Sequence, residues 1–307
     1  MSAGHEHSHV VADNRKVLIV VLSITFSIFL VEVIGVVMTD SLALIADAGH
    51  MLVDSLGLMM ALITAFLVHK EATNKHTWGL RRAEVISAMG QALVLLGVGL
   101  YILVEGIRRF YEPVELPSNL MLYFGAFGLL ANLLSFVILV RSSGDNFNIR
   151  AASLEVLNDA LGSVAVIVAA IVIKITGWYQ ADALVSILIG MLILPRTIKL
   201  LRDTMSVLLE ATPTGLDLTQ VKKHILRQDH VTDIHDIHAS QIDSALPVLT
   251  AHVVLDDECL SDKEHYDFHL KKLRDCLTGH FDISVEHTTF QLESQEFASD
   301  KCKHLVV

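Results

Sequence analysis

The sequence predicts a multi-pass α-helical membrane protein, with six transmembrane helices followed by a C-terminal cytoplasmic α+β domain. Two bulk properties and one discontinuity carry that prediction. The mean hydropathy is +0.53, and only 19% of the 307 residues are charged, too few for a soluble chain of this length. Six segments each supply the roughly 20 mostly apolar residues that a helix needs to cross a bilayer. After Arg202 the composition reverses. Nineteen Asp and Glu stand against nine Lys and Arg, so −10 of the net −11 charge lies in the last 105 residues.

The expected spans are 17–38, 42–68, 85–107, 120–140, 151–175 and 183–201. The first is too long for the apolar region of a signal peptide and lacks an A-x-A cleavage site. The stretch before it, MSAGHEHSHVVADNRK, is polar and His-rich, which sets residues 1–16 apart as a cytoplasmic N-terminal segment and 17–202 as the membrane domain. Lys and Arg in short loops set the orientation. Arg15, Lys16, Lys70, Lys75, Arg81, Arg82, Arg141, Arg150, Arg196, Lys199 and Arg202 fall on one side, against Arg108, Arg109 and Lys174 on the other. Both termini are therefore expected in the cytoplasm.

Residues 203–294 read as a separate soluble domain, and 295–307 as a C-terminal tail. Leu218, Val221 and Ile225 have helical spacing within 216–228. Residues 231–242 and 246–255 alternate as strands, with Ala245-Leu246-Pro247 marking the turn. A helix is expected over 261–277, where Ser261 and Glu264 form a capping box, and a third strand over 281–292. This αββαβ order is a small sandwich with one open sheet face. Its acidity argues against nucleic acid and suits cations. Residues 203–307 together hold ten of the sixteen histidines and all three cysteines, Cys259, Cys276 and Cys302. An odd number without C-x-x-C spacing indicates neither a disulfide framework nor a Cys-rich zinc module.

A charge at mid-bilayer costs roughly 2.5–3.5 kcal/mol on insertion scales, so each one in a span needs a reason. His50 and Asp54 in span two share a helix face. Taken alone they read either as an ion position or as a contact pinning two helices. Span five repeats the pattern. EVLNDALG, Glu155 to Gly162, laid over HMLVDSLG, His50 to Gly57, gives ligand-x-Leu-x-Asp-small-Leu-Gly twice, 105 residues apart. If the two helices face each other, His50, Asp54, Glu155 and Asp159 form a cage of one nitrogen donor and three carboxylates. Such a set suits tetrahedral Zn²⁺ and equally Co²⁺ or Cd²⁺. Gly49, Gly57 and Gly162 permit close helix approach. Asp47, one turn from His50, reads either as an ion guide or as a helix-stabilising partner, while Glu32, Glu105, Asn132 and Asp182 read as ties between helices.

The runs SLALIADAGHMLVDSLG and LEVLNDALGSVAVIV, with VLLEATP, IHDIH and HTTFQLE after the spans, resemble the cation diffusion facilitator (cation efflux) family. Within it the similarity is to the zinc-type, cobalt-zinc-cadmium exporter branch, and it extends from the His-rich N-terminus to about Ser294. The resemblance implies a homodimer in a lipid bilayer, with metallochaperone-like cytoplasmic domains, exchanging divalent metal for protons. His50, Asp54 and Asp159 fall on ligand positions of the family motif. Glu155 stands where the zinc-type pattern has His, and this oxygen-richer, harder cage opens Co²⁺, Cd²⁺ or Mn²⁺ as main substrate beside Zn²⁺. Ligands must lose protons to bind metal, which makes His50, Asp54 and Glu155 the expected proton-coupling groups. Alternating access then moves metal out of the cytoplasm.

No permanent cofactor is expected, with Zn²⁺ entering as transported substrate and as a regulatory ion of the C-terminal domain. There the resemblance points to His235 and His252, with His287 and Glu293 as further candidates, and solvated strand histidines account for the pattern equally. Ser240 stands where the family usually has Trp. HKEATNKHTWGLRRAE aligns with a family region that sometimes holds an accessory ion, and only His76 occupies a ligand position there. His5, His7 and His9 suit either metal collection or a weakly binding tract. A short chain without a long His-rich loop between spans four and five points to a bacterial plasma membrane. Two rival classes are a membrane-anchored metal sensor and a membrane metalloenzyme. An anchor does not need a duplicated intramembrane cage, and beyond the N-terminal HEHSH run the sequence carries no H-E-x-x-H or similar hydrolytic pattern.

Overall fold

A computed structural model describes residues 6–67, 72–141, 147–256, 263–279, 281 and 283–301. Among the described residues, six helices are long and apolar enough to cross a membrane: α1 (Glu6–Thr39), α2 (Leu42–Leu67), α3 (Arg82–Tyr111), α4 (Ser118–Arg141), α5 (Phe147–Thr176) and α6 (Gln180–Leu208). Each overlies one expected span. Helix α1 begins earlier than expected, so helical backbone runs through most of the polar N-terminal segment. His5, Cys259, Cys302 and Ser261 lie outside the described residues, as do the side chains of His7, His9 and Glu264, the other member of the expected capping pair. Val104, Leu130 and Leu192 are more than two-thirds exposed. Lipid accepts such side chains, and helices are the form in which the backbone satisfies itself there.

Contacts divide the chain into two units, Met1–Glu71 with Ser87–Leu201, and Ala72–Ile86 with Arg202–Val307. In the first unit α1 packs on α2 and α4, and α5 packs on α4 and α2. A Cβ at Gly35 would stand 2.7 Å from the Phe124 ring, so α1 and α4 meet where only glycine fits. Asp40, with φ of 53°, ends α1, its N–H donating to the Val36 carbonyl, a left-handed close that Asp tolerates. Helix α2 begins on a cap supplied from 140 residues away. The buried Asp182 carboxylate of α6 accepts from Ser41 Oγ (2.6 Å), Leu42 N (2.8 Å) and Ala43 N (3.2 Å). Three orphan donors at one helix start are thereby satisfied.

The second unit contains α7 (Leu218–Ile225), β1 (Val231–Gln241), β2 (Pro247–Leu255), α8 (Lys263–Gly279), β3 (His287–Glu293) and α9 (Gln295–Lys301). Asp217 caps α7 through Thr219 N at 2.8 Å, a contact that holds its carboxyl below the ordinary value. The sheet order is β1-β2-β3, β1 antiparallel and β2 parallel to its neighbour, as a helical crossover between β2 and β3 requires. Val221, Ile225, Ile234, Leu249, Val253, Leu273 and Phe290 share its core. The opposite sheet face is not covered by that core, in line with the αββαβ reading.

Three features depart from the sequence expectation. The third strand starts at His287 rather than 281. Phe281, Ile283 and Val285 alternate because an irregular connection dips them towards the core, and Val285 N bonds to Leu277 O of α8. Residues 295–301, expected as tail, form α9. Residues 72–86, assigned with the membrane domain, pack with the C-terminal elements. There Trp78 lies edge-on to His287 (centroids 4.8 Å apart), and Arg81 pairs with Asp243 (3.1 Å). Arg82 pairs with Glu210 (2.8 Å), and Ser244 Oγ donates to Glu84 (2.7 Å).

Candidate metal centre

The duplicated motif places its residues on two helices in contact, α2 and α5. His50 and Asp54 are one turn apart on α2, and Asp159 comes from α5. His50 Nε2 is 3.2 Å from Asp159 Oδ1 and 3.7 Å from Asp54 Oδ2. One ligand atom from each of the three lies within 4.8 Å of the other two. In a tetrahedral zinc site with bonds of about 2.1 Å, ligand atoms stand about 3.4 Å apart, and the two measured gaps bracket that spacing. Asp159 is 4% exposed, and the His50 and Asp54 side chains are 17% and 18% exposed. Among the described residues, His50 Nδ1 finds no hydrogen-bond partner, and Asp159 Oδ1 has the His50 imidazole at 3.2 Å but no well-aligned hydrogen bond. Buried polar atoms in that condition are uncommon and mark a place for a ligand or water.

Glu155 lies one turn before Asp159 on α5, so its backbone position is on the Asp159 face; its side chain lies outside the described residues. Of the three glycines expected to admit close approach, only Gly162 sits between α2 and α5, where a Cβ would be 3.1 Å from Asp47 Oδ1. Gly49 and Gly57 instead face α3, at Val98 and Gln91. Asp47 itself is buried and accepts from Ser163 Oγ at 3.3 Å. Asp182 caps α2 from α6 and so ties two helices as expected, whereas the Glu105 contact with Arg109 Nε (2.9 Å) lies within α3. Glu32 and Asn132 carry buried polar atoms with no partner among the described residues, which a simple helix tie does not explain.

The second cluster lies on the open face of the C-terminal sheet. Alternation along β2 sends Leu249, Ala251 and Val253 into the core and His252 to the other side. The register pairs His252 with His235 on β1 and with Gln291 on β3. Glu293 joins them, with Oε2 3.2 Å from His235 Nε2 and Oε1 2.7 Å from His252 Nδ1. Gln291 Nε2 also donates to Oε1 at 2.6 Å. A bulge in β1 between His235 and His238, with Asp236 at φ of 50°, brings Asp236 Oδ2 to 3.6 Å from His252 Nε2. Two imidazoles and a buried carboxylate are a donor set that fits zinc, with the metal replacing the two imidazole–carboxylate contacts.

His287, expected with that group, is not brought to it. It stands opposite Val248, six positions before Glu293 and roughly 20 Å along the strand at 3.3 Å per residue, against Trp78. His76 lies in an exposed turn closed by mutual backbone bonds with Thr73. It belongs to neither cluster of candidate ligands among the described residues.

A family model described as the cation efflux transmembrane domain matches residues 18–209. The metal cation efflux system protein CzcD of Cupriavidus metallidurans is 40% identical over 293 residues, 95% of this chain and 90% of that protein. The cadmium, cobalt and zinc/H(+)-K(+) antiporter of Bacillus subtilis is 37% identical over 301 residues, 97% of this chain and 94% of the antiporter. The zinc transporter ZitB of Escherichia coli is 37% identical over 304 residues, covering 98% and 95% of the two chains. By name all three are transporters, and none is an enzyme. The chain therefore belongs to the cation efflux family, as an integral membrane transporter rather than an enzyme.

Proposed function

We propose that this chain exports Zn²⁺ from the cytoplasm in exchange for protons, by alternating access around the α2–α5 site. The convergence of His50, Asp54 and Asp159 at zinc-ligand spacing, inside two apolar helices, carries the reading. Metal needs the deprotonated forms of these side chains, so proton entry ejects metal and metal entry releases protons. Glu155 completes the cage one turn from Asp159 and shares the proton load with His50 and Asp54. Its carboxylate hardens the site, so Co²⁺ and Cd²⁺ compete with Zn²⁺ for transport, in keeping with the cadmium, cobalt and zinc in the Bacillus antiporter's name. Mn²⁺ is the hardest of the candidate substrates.

The same reading makes His235, His252 and Glu293 a regulatory zinc site. It places the chain as a homodimer in a bacterial plasma membrane, both termini in the cytoplasm. Proteoliposome flux tests it. Under an imposed pH gradient the full-length protein should move Zn²⁺, and Asp54→Ala should stop that movement. Flux indifferent to the pH gradient, or retained by Asp54→Ala, contradicts the reading. Metal-dependent signalling without flux favours the membrane-anchored sensor.

A further inference from the structure

Beside the proposed metal ligands lies a second acidic feature. Glu32 of α1 and Asp47 of α2 are 1% and 6% exposed, and their carboxylates lie within hydrogen-bonding reach of each other. Neither oxygen of Glu32 has a donor among the described residues, and Asp47 has the one from Ser163. Acceptor thus faces acceptor. The titratable groups facing the pair are Asp159 of α5 and, for Asp47, His50 of α2. Helix α4 carries no charged residue between Ser118 and Val140.

The helices are shaped around these carboxylates. A Cβ at Gly128 would stand 3.3 Å from Glu32 Oε1 and 3.1 Å from Ser163 Oγ, and one at Gly162 would stand 3.1 Å from Asp47 Oδ1. A cavity of about 30 Å³ lies close by, lined among others by Ile28, Met51, Asn132 and Asp159. It has room for a water or two. Asn132, whose Nδ2 has no partner among the described residues, lies on its wall.

We propose that Glu32 and Asp47 form a proton-holding pair, whose shared proton leaves when metal binds and returns when metal departs. Two unpaired carboxylates at this depth are each costly to keep charged. A single proton between them turns the acceptor–acceptor contact into a short, charge-assisted hydrogen bond. A divalent cation arriving at His50, Asp54 and Asp159 supplies the positive charge that the proton otherwise provides. Metal and shared proton therefore exclude each other, and the released proton passes to water. The pair adds to the protons carried by the metal ligands, and the proposal rests on the proton exchange inferred above.

The test is proton release on zinc addition to the purified full-length protein, read with a pH dye in weak buffer. Glu32→Gln and Asp47→Asn each imitate the protonated acid. Both are expected to release about one proton fewer per Zn²⁺, and to flatten the dependence of log Kd on pH by about one. Zinc-for-zinc exchange across liposomes should persist. Unchanged proton release and an unchanged pH slope in folded variants overturn the proposal. A wild type that releases no proton overturns the exchange reading itself, and this pair with it. Infrared difference spectroscopy on the wild type needs no variant. A carboxylic-acid C=O band should vanish on zinc loading, and absence of that loss overturns the proposal.

Discussion

Gly162→Ala probes how tightly the α2–α5 contact sets the site. The new methyl would stand 3.1 Å from Asp47 Oδ1 and 3.8 Å from Asp47 Cγ, where ordinary contact begins at 3.4 Å. Something must yield by about 0.3 Å, and overpacking of this kind costs about 1–3 kcal/mol. Asp47 cannot simply swing aside, because its other oxygen accepts from Ser163, the next residue along α5. The yield therefore falls on α5, which carries Asp159 three residues earlier. A 0.3 Å retreat would stretch the 3.2 Å gap between His50 Nε2 and Asp159 Oδ1 to about 3.5 Å, while metal–ligand bonds tolerate about 0.2 Å. Strain borne by the metal-bound state weakens zinc binding roughly 5- to 150-fold. Gly97→Ala is the comparator. Nothing lies within 4 Å of its Cβ, and Ala in a helix interior is favoured over Gly by up to about 1 kcal/mol. Competition against a zinc-chelating dye in detergent measures both. Equal zinc affinity in the two folded variants refutes the reasoning.

Other expectations concern the cap and the C-terminal unit. Asp182→Ala orphans Ser41 Oγ, Leu42 N and Ala43 N and should lower stability by about 2–4 kcal/mol, at about 1–3 kcal/mol per buried unsatisfied group less the desolvation relieved. Asp182→Asn keeps an acceptor and should lose less; equal losses in thermal unfolding deny the capping role. Glu293→Gln or His252→Ala should abolish zinc binding by the C-terminal unit, and His287→Ala should leave it intact, as equilibrium dialysis at saturating zinc would count. Burial holds the His269 imidazole below its ordinary value, helped by His230, Lys272 and His265. The folded form therefore takes up a proton less readily than the unfolded chain, whose His titrates near 6.5. His269 costs nothing above that pH, and stability falls as pH drops below it towards the lower folded value. Acid sensitivity between about pH 7 and 5 should shrink in His269→Gln, followed by Trp78 emission in a Trp178→Phe background; an unchanged pH profile contradicts this.

The spans were legible because a bilayer leaves an apolar run of 20 residues only one economical backbone form. The clustering of His50, Asp54 and Asp159 was legible because the same eight-residue pattern recurs in two spans, and i,i+4 spacing is itself a statement about a helix face. Features set by distant partners carried no local signal. The α2 cap comes from Asp182, 140 residues on, and residues 72–86 join the C-terminal unit through partners such as Asp243, 162 residues from Arg81. His287 was misplaced because strand alternation tells which face a side chain takes but not how far along the sheet it stands. Glu32 was passed over because one acid in an apolar helix looks the same in sequence whether it ties helices or faces another acid. Asp47, one turn from His50, was the signal available.

The central claim is that side chains of two membrane helices clasp one divalent cation. Zinc X-ray absorption on the full-length protein, with the sheet cluster removed by His235→Ala and His252→Ala, tests it most directly. The expected result is one zinc per chain with four nitrogen or oxygen ligands at about 2.0–2.2 Å, lost in Asp159→Ala. A sulfur-containing shell, or zinc held as tightly by Asp159→Ala, would contradict the account.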